Sequence, residues 1–416
     1  MELIERSLRR RILQALRDSP IVYVNGPRQA GKSTLALELA ANEWPAEYVT
    51  FDQATMLGAA EANPESFLRA YDGPLILDEI QMVPGLFRAL KLLVDEARHE
   101  SNHAAGGHYL LTGSANVMSL PELSDALVGR MRVLTLYPLS ALEIAGGKGD
   151  FLACLFENDF KPGRCRTEVA PVDMIQRATF PEIWDGEEAT RRHWFESYIA
   201  TLLQRDVRQM ASIAKLGVLP NLLRVLASRP GGLVNEADIA RSIGQNAVTT
   251  KNYRVLLQMI FLTMDVKPWF RNIGKRLVKS PKNYIMDTSL LCHLLQIDLQ
   301  RCQITDPHMF GHIFENFVAT ELAKQLAVSD GIADLHHFRT SDGKEVDFVL
   351  ERPDGKLAGI ETKGRDAVSD DDFRGLKELR RQVGDDLVSG IVLYRGNSIV
   401  SFDERMWAVP VSTMWG

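Results

Sequence analysis

Cysteine is scarce in this chain: four among 416 residues, Cys154, Cys165, Cys292 and Cys302. No two form a Cys-x-x-Cys pair, which excludes a zinc knuckle or dithiol redox site of that spacing and suits a reducing compartment. Long apolar runs are missing too. None reaches the ~18 residues that a membrane-crossing helix needs. Arg6, Arg9, Arg10 and Arg11 lack the apolar stretch that would follow them in a signal peptide, so a cytoplasmic protein without a membrane partner is expected. There is no excess of positive charge. A net charge of −6 excludes coating nucleic acid by bulk charge and leaves only local basic patches for such contact. Internal repeats and low-complexity tracts are absent.

What is present is ordinary globular material, 45% hydrophobic and 25% charged, enough for more than one core. Short apolar runs at Ile21–Val24, Tyr48–Phe51, Pro74–Leu77, Tyr109–Thr112 and Val133–Leu136 read as buried strands. Helices at Lys32–Ala41 and Phe87–Ala97 alternate with them, the pattern of a parallel α/β sheet. Glycines and prolines follow Glu143, a mostly helical stretch runs from Trp194 to about Leu295, and strands return after a helix at Gly311–Leu326. The expected fold is α/β: a P-loop parallel sheet (1–145), a helical middle domain (146–300) and an α/β C-terminal domain (301–416).

Gly26-Pro27-Arg28-Gln29-Ala30-Gly31-Lys32-Ser33-Thr34 matches G-x-x-x-x-G-K-[ST], between a strand and a helix. Glycines let backbone N–H groups turn inward around phosphates, and the helix N-terminus adds a positive field. Lys32 is expected to reach the β- and γ-phosphates of ATP, and Ser33 to ligate Mg²⁺. Leu75-Ile76-Leu77-Asp78-Glu79 is an apolar strand ending in two acids. Asp78 suits the Mg²⁺ shell and Glu79 the attacking water. Ser114 and Asn116, after the strand at Tyr109, are candidate γ-phosphate sensors. Arg130, before a strand, is a candidate for stabilising transition-state charge in its own site or a neighbour's.

These motifs stand in the order used by AAA+ ATPases. Further runs carry the resemblance along nearly the whole chain: Leu136-Tyr137-Pro138-Leu139-Ser140, Phe180-Pro181-Glu182, Tyr198 with Arg205-Asp206, Lys279-Ser280-Pro281-Lys282, Asp287-Thr288, Phe314-Glu315 and Glu345-Val346-Asp347-Phe348. The chain resembles a prokaryotic family of AAA+-type ATPases with a long C-terminal region. That family usually has glycine after the Asp-Thr pair, where this chain has Ser289; the departure is expected to touch a helix start.

In the middle segment Asn235 is a candidate N-cap for a helix that turns at Ile243-Gly244 into a second helix, Ala247–Gln258. Val248, Tyr253, Leu256 and Leu257 are its expected packing residues. This resembles a helix-turn-helix, with Phe261–Met264 and Leu277-Val278 as the strands of a wing. Thr249, Thr250, Lys251, Asn252 and Arg254 would face DNA. Lys267, Arg271, Lys275, Arg276, Lys279 and Lys282 would track phosphates. A winged lid used only for packing or subunit contact is the alternative.

Glu345–Leu350 and Leu357–Lys363 read as a hairpin around Asp354, with Asp347 opposite Glu361 and Lys363 on the face of Glu361. This resembles the D…E-x-K core of restriction-endonuclease-like nucleases. The resemblance implies Mg²⁺ ligands at Glu315, Asp347 and Glu361 and a water-positioning Lys363. Glu345 paired with Lys363, leaving only a structural hairpin, is the alternative.

Two functions are expected from these readings. One is a homo-oligomeric motor, a ring such as a hexamer, acting on duplex or branched DNA; the motor joined to a resolvase-like fold suggests Holliday junctions. The other is an ATP-dependent regulatory, toxin or defence switch that binds a protein partner.

Overall fold

The computed structural model describes residues 3–100, 107–114, 127, 129–206, 216–272, 279–329 and 333–416. Backbone contacts divide the chain into two compact units. One is Met1–Leu139 with Met259–Phe261; the other is Ser140–Gln258 with Leu262–Gly416.

The first unit opens with helix α1 (Arg9–Asp18), which buries Ile12, Ala15 and Leu16. Five described strands follow: β1 (Ile21–Asn25), β2 (Glu47–Thr50), β3 (Leu75–Asp78), β4 (Tyr109–Gly113) and β5 (Met131–Thr135). They form a parallel sheet in the order β2-β3-β4-β1-β5. Helices α2 (Lys32–Asn42) and α3 (Gly85–Glu100) belong to this unit. β1 and β3 are buried at every position, as expected of strands covered on both faces. Because β1 lies between β4 and β5, the carboxyl ends of β1, β4 and β3 meet along one edge, where open α/β sheets bind ligands.

In the second unit Asn235 accepts from the N–H groups of Ala237 and Asp238, and so caps α4 (Glu236–Ile243). Gly244 ends that helix in the left-handed region, and α5 (Ala247–Met259) follows. The strands are β6 (Gly163–Arg164), β7 (Thr263–Pro268), β8 (Lys282–Ile285), β9 (Asp334–Arg339), β10 (Glu345–Glu351), β11 (Leu357–Lys363), β12 (Leu387–Tyr394), β13 (Ser398–Asp403) and β14 (Met406–Pro410). Between β8 and β9 run α6 (Thr288–Leu295) and the long α7 (Pro307–Val328); α8 (Arg374–Val383) follows β11. These nine described strands make one mixed sheet, β6-β13-β14-β12-β11-β10-β9-β7-β8. Leu376 and Leu379 of α8 enter a core with Val346, Val349, Leu357 and Val392. A Cβ at Gly375 would lie 1.8 Å from the Glu345 carbonyl oxygen, so only glycine lets α8 approach β10 that closely.

The segments expected as separate domains, 146–300 and 301–416, thus share one unit. The reason is β7, which pairs with β8 on one side and, in parallel, with β9 on the other, Lys267 beside His336. The hairpin expected as a wing is an edge of the C-terminal sheet. Its second strand is Lys282–Ile285; Leu277-Val278, with Lys275 and Arg276, lies outside the described residues.

Candidate functional site

At the carboxyl edge of the first sheet, the chain leaves β1 through Gly26, whose φ is +148°. A Cβ there would stand 2.1 Å from the Leu136 carbonyl oxygen. Gly31, with φ +92°, caps α2. Both glycines are therefore required by the backbone path, which leads from β1 into the N-terminus of α2. Lys32 is 6% exposed, and its ammonium points back into the loop, donating to the carbonyls of Gly26 (3.0 Å) and Pro27 (2.8 Å). Arg6, also buried, donates to the carbonyls of Ala30 (2.6 Å) and Tyr137 (2.6 Å) and so anchors the far side of the loop.

Ser33 Oγ donates to Asp78 Oδ1 at 2.9 Å, and the Tyr48 hydroxyl donates to Asp78 Oδ2 at 2.8 Å. Thr112, on β4 between the two motifs, also donates to Asp78 Oδ1. Burial, then the bond to Asp78, raises the Tyr48 pKa above that of an ordinary phenol, so it stays a donor. Glu79 takes a left-handed conformation, φ +58°, which turns the chain sharply at the end of β3. Gln81 Nε2 donates to Glu79 Oε2 and to Ser114 Oγ (3.2 Å). Gln81 Oε1 is buried without a partner, and a Cβ on Gly113 would stand 2.8 Å from it. The residues present fit a magnesium nucleotide: a glycine-built loop, an inward ammonium, a hydroxyl and a carboxylate already in contact, and an acid held beside an unpartnered amide oxygen.

A second cluster lies inside the second unit. Lys282 of β8 donates to Glu315 of α7 (2.8 Å) and to Asp347 of β10 (3.0 Å). The Tyr284 hydroxyl donates to Glu315 Oε1 at 2.7 Å. Asp347 Oδ2 accepts from Thr362 N (2.9 Å) and Thr362 Oγ1 (2.7 Å). Lys363 donates to Glu361 Oε1 at 2.7 Å, and Glu361 Oε2 is buried without a partner. The β10–β11 register, Phe348 beside Ile360, sets Asp347 next to Glu361.

The electrostatics follow from burial. Burial and then Asp347 push the Glu361 carboxyl up to about 8 and Glu315 up to about 7. Burial also opposes charge on Asp347, but Lys282 and Thr362 outweigh it and hold its pKa below the ordinary value. The Lys282 pKa is held above its ordinary value, because Asp347, Tyr284 and Glu315 outweigh burial. His337 nearby is pushed down to about 4 by burial and then by Lys282.

A family model described as an AAA domain matches residues 18–145. Two models described as domains of unknown function match residues 172–301 (DUF8612) and 310–414 (DUF4143). An uncharacterized protein of Mycobacterium tuberculosis is 30% identical over 354 residues, 85% of this chain and 72% of that protein. This chain belongs to the same family. An uncharacterized protein of Haemophilus influenzae is 24% identical over 362 residues, covering 80% of each chain. Among solved structures, the Walker-type ATPase of Pyrococcus abyssi covers 71% of this chain and 96% of its own, with 13% identity and TM-score 0.41. Cdc6p of Pyrobaculum aerophilum covers 70% and 92%, with 13% identity and TM-score 0.26. The first unit is an AAA-type P-loop ATPase domain, a fold that implies nucleotide binding. No described helix is long and apolar enough to cross a membrane.

The structure brings Gly26 to Thr34, Asp78, Glu79 and Ser114 to one edge; Asn116 lies outside the described residues. Arg130 is not brought there. It precedes β5, whose start is level with Ile21, at the opposite end of the parallel strands. There it forms a two-point ion pair with Asp95 of α3 (2.6 and 2.9 Å). A role in its own site is therefore corrected: a five-residue strand, ~16 Å long, separates it from the loop.

In the second unit, Glu315, Asp347, Glu361 and Lys363 do converge, but the lysine beside Asp347 and Glu315 is Lys282, which sequence reasoning had set among phosphate-tracking cations. Among the described residues no group of three His, Cys, Asp or Glu is arranged to hold a metal ion, so the implied Mg²⁺ set does not fit. Glu345 pairs with Arg339 (3.4 Å), not Lys363. Thr250 and Arg254 are buried, Arg254 on Glu236 and Asp265, and so cannot face a groove; Val248, expected to pack, is 72% exposed. Tyr48, Gln81, Thr112 and Arg6 escaped the sequence reading. Only Thr112 carried a signal, as the polar residue closing an apolar strand.

Proposed function

We propose that the first unit hydrolyses ATP and that the cycle drives the second unit on DNA. The observation that supports this reading best is the joined pair Ser33–Asp78, with Glu79 held by Gln81 beside Ser114. In this reading, Ser33 and Asp78 would hold Mg²⁺, which would supply screening of the phosphate charge. Lys32 sets its ammonium against the β- and γ-phosphate oxygens. Glu79 orients and deprotonates the attacking water, and Gln81 and Ser114 fix Glu79 and sense the terminal phosphate. A homo-oligomeric ring and branched DNA such as a Holliday junction belong to the same proposal. Support for DNA comes from Lys251, Asn252, Lys267, Arg271 and Lys279, all exposed in a unit where the capped α4 turns at Gly244 into α5. ATP turnover with linear, forked and four-way DNA, beside Lys32→Ala, tests it: stimulation by DNA supports the motor, and turnover indifferent to every DNA overturns it.

A second reading, an ATP-dependent switch that binds a protein partner, is favoured by one observation: Lys282 already neutralises the carboxylates of the nuclease-like cluster. Here Asp347→Ala and Glu361→Ala leave biological output intact, whereas Mg²⁺-dependent cleavage lost in those variants eliminates the idea.

A further inference from the structure

The cluster around Glu315 and Asp347 is built differently from a site awaiting a metal. Lys282 cannot be treated as a surface lysine that has wandered in. Its backbone is paired on one side with Val266 of β7 and bridged on the other to Leu233, and the residue is 4% exposed. Its amine contacts one oxygen of each acid, 2.8 Å from Glu315 Oε1 and 3.0 Å from Asp347 Oδ1.

Further donors come from the protein as well. Asp347 Oδ2 takes two donors from Thr362, and Glu315 Oε1 also takes the Tyr284 hydroxyl. Behind Glu315 stands Gly231, φ +72°, so close that a Cβ there would lie 2.8 Å from Oε1 and 2.9 Å from Oε2. A magnesium ion needs oxygens at ~2.0–2.1 Å in near-octahedral array and keeps several waters. Carboxylates spaced for N–H···O contacts to the Lys282 amine offer neither that geometry nor room for that water while the amine stands between them.

We propose that Lys282 is a built-in cation of this cluster, holding by its ammonium the place between Glu315 and Asp347 that a divalent ion would otherwise take. The folded second unit is then complete without metal at these two acids. The physical reason is charge balance: two buried carboxylates without a cation are strongly unfavourable, and one buried amine with good hydrogen bonds to both relieves them. The β7–β8 hairpin supplies that amine, which ties the middle segment electrostatically to the C-terminal one. None of this rests on ATP turnover, because Ser33 and Asp78 belong to the other unit.

The test is Mn²⁺ binding by the full-length chain without nucleotide, read by electron paramagnetic resonance and by melting of the second unit. Wild type is expected to bind no Mn²⁺ that Asp347→Asn removes, and its melting is expected to be indifferent to Mn²⁺. Lys282→Met, which keeps the stem and removes the charge, is expected to gain one Mn²⁺ per chain, lost again in Lys282→Met with Asp347→Asn. Its melting temperature should rise by about 5–10 °C at ~100 times the dissociation constant. Mn²⁺ bound by wild type and released by Asp347→Asn overturns the proposal, as does a folded Lys282→Met that gains none. Should Lys282→Met fail to fold, the wild-type arm decides alone: no Asp347-dependent Mn²⁺ supports the built-in cation, and Asp347-dependent Mn²⁺ sinks it.

Discussion

The hydroxyl of Ser33 donates to Asp78 Oδ1 over 2.9 Å, joining residues 45 positions apart. Ser33 lies in the first turn of α2 and Asp78 closes β3, and β1 and β4 set the spacing between them. Ser33→Ala and Asp78→Ala are each expected to lower Mg²⁺-dependent ATP turnover by roughly 10²–10³-fold, the scale of losing one preorganised contact to a reacting group. Steady-state phosphate release measures it; turnover within twofold of wild type in both variants contradicts the assigned pair.

Glu79 and Gln81 should separate binding from chemistry. Glu79→Gln is expected to bind ATP with near wild-type affinity and to turn over little. Gln81→Ala should lower kcat by roughly tenfold or more at nearly unchanged KM, because its contacts to Glu79 and Ser114 orient the acid and do not hold the nucleotide. A rise in KM with kcat intact would show that Gln81 serves binding instead.

Arg6 reaches two carbonyls, one of them in the loop itself. Its removal leaves buried acceptors unpaired, each worth ~1–3 kcal/mol. Arg6→Ala is predicted to weaken binding of a fluorescent ATP analogue by about tenfold, which corresponds to ~1.4 kcal/mol, and to lower the melting temperature of the first unit. Arg6→Lys should not restore either, since an ammonium lacks the planar fork that spans both oxygens.

The two faces of α5 make opposite predictions. Arg254 is buried between Glu236 and Asp265. Arg254→Ala should destabilise the second unit by about 2–3 kcal/mol, somewhat less than the ~3–5 of a fully buried pair, because its partners are partly exposed. Lys251→Glu, on the exposed face, should leave urea stability unchanged and weaken DNA binding if DNA is the load. Equal DNA affinity in Lys251→Glu and wild type counts against α5 as the reading helix.

The pH dependence of the second unit carries a definite sign. Glu361 has its folded pKa pushed up to about 8, against ~4.3 for an unfolded chain, by burial and then Asp347, with Lys363 opposing. The folded state holds a proton that the unfolded state releases, so this contribution is present in full below the unfolded pKa and lost as pH rises through about 8. Glu315, at about 7, acts in the same direction, while His337, at about 4, acts oppositely but only below its unfolded pKa of ~6.5. Between pH 6.5 and 8.5 the carboxyls alone remain, and the second unit should lose on the order of 1–3 kcal/mol. Glu361→Gln should flatten that loss in urea titrations; an equally steep loss in the variant would show that Glu361 is already ionised at neutral pH.

Much of the first unit could be read from the residues because its signals are local. Apolar runs became β1 to β5 within a few positions, and Gly26 and Gly31 stand where only glycine's backbone freedom serves. Asp78 and Glu79 were legible as acids ending a buried strand. Arg130 is not in its own site because a residue before a strand has no marked end in one dimension; parallel pairing of Met131 with Ile21 put it at the far edge. In the second unit, period two placed Glu361 and Lys363 on one face, and register placed Asp347 beside them.

Sequence by itself determined the nucleotide loop, the strand–helix alternation and the acid–lysine hairpin, since each depends on neighbours a few residues apart and on backbone rules that hold anywhere. Tertiary structure alone decided the rest. Pairing of β7 with β9 turned an expected wing into a sheet edge and delivered Lys282, 65 positions from Asp347, into the carboxylate cluster. A lysine's sequence neighbours say that it carries charge; which buried acids need that charge depends on where the strands meet.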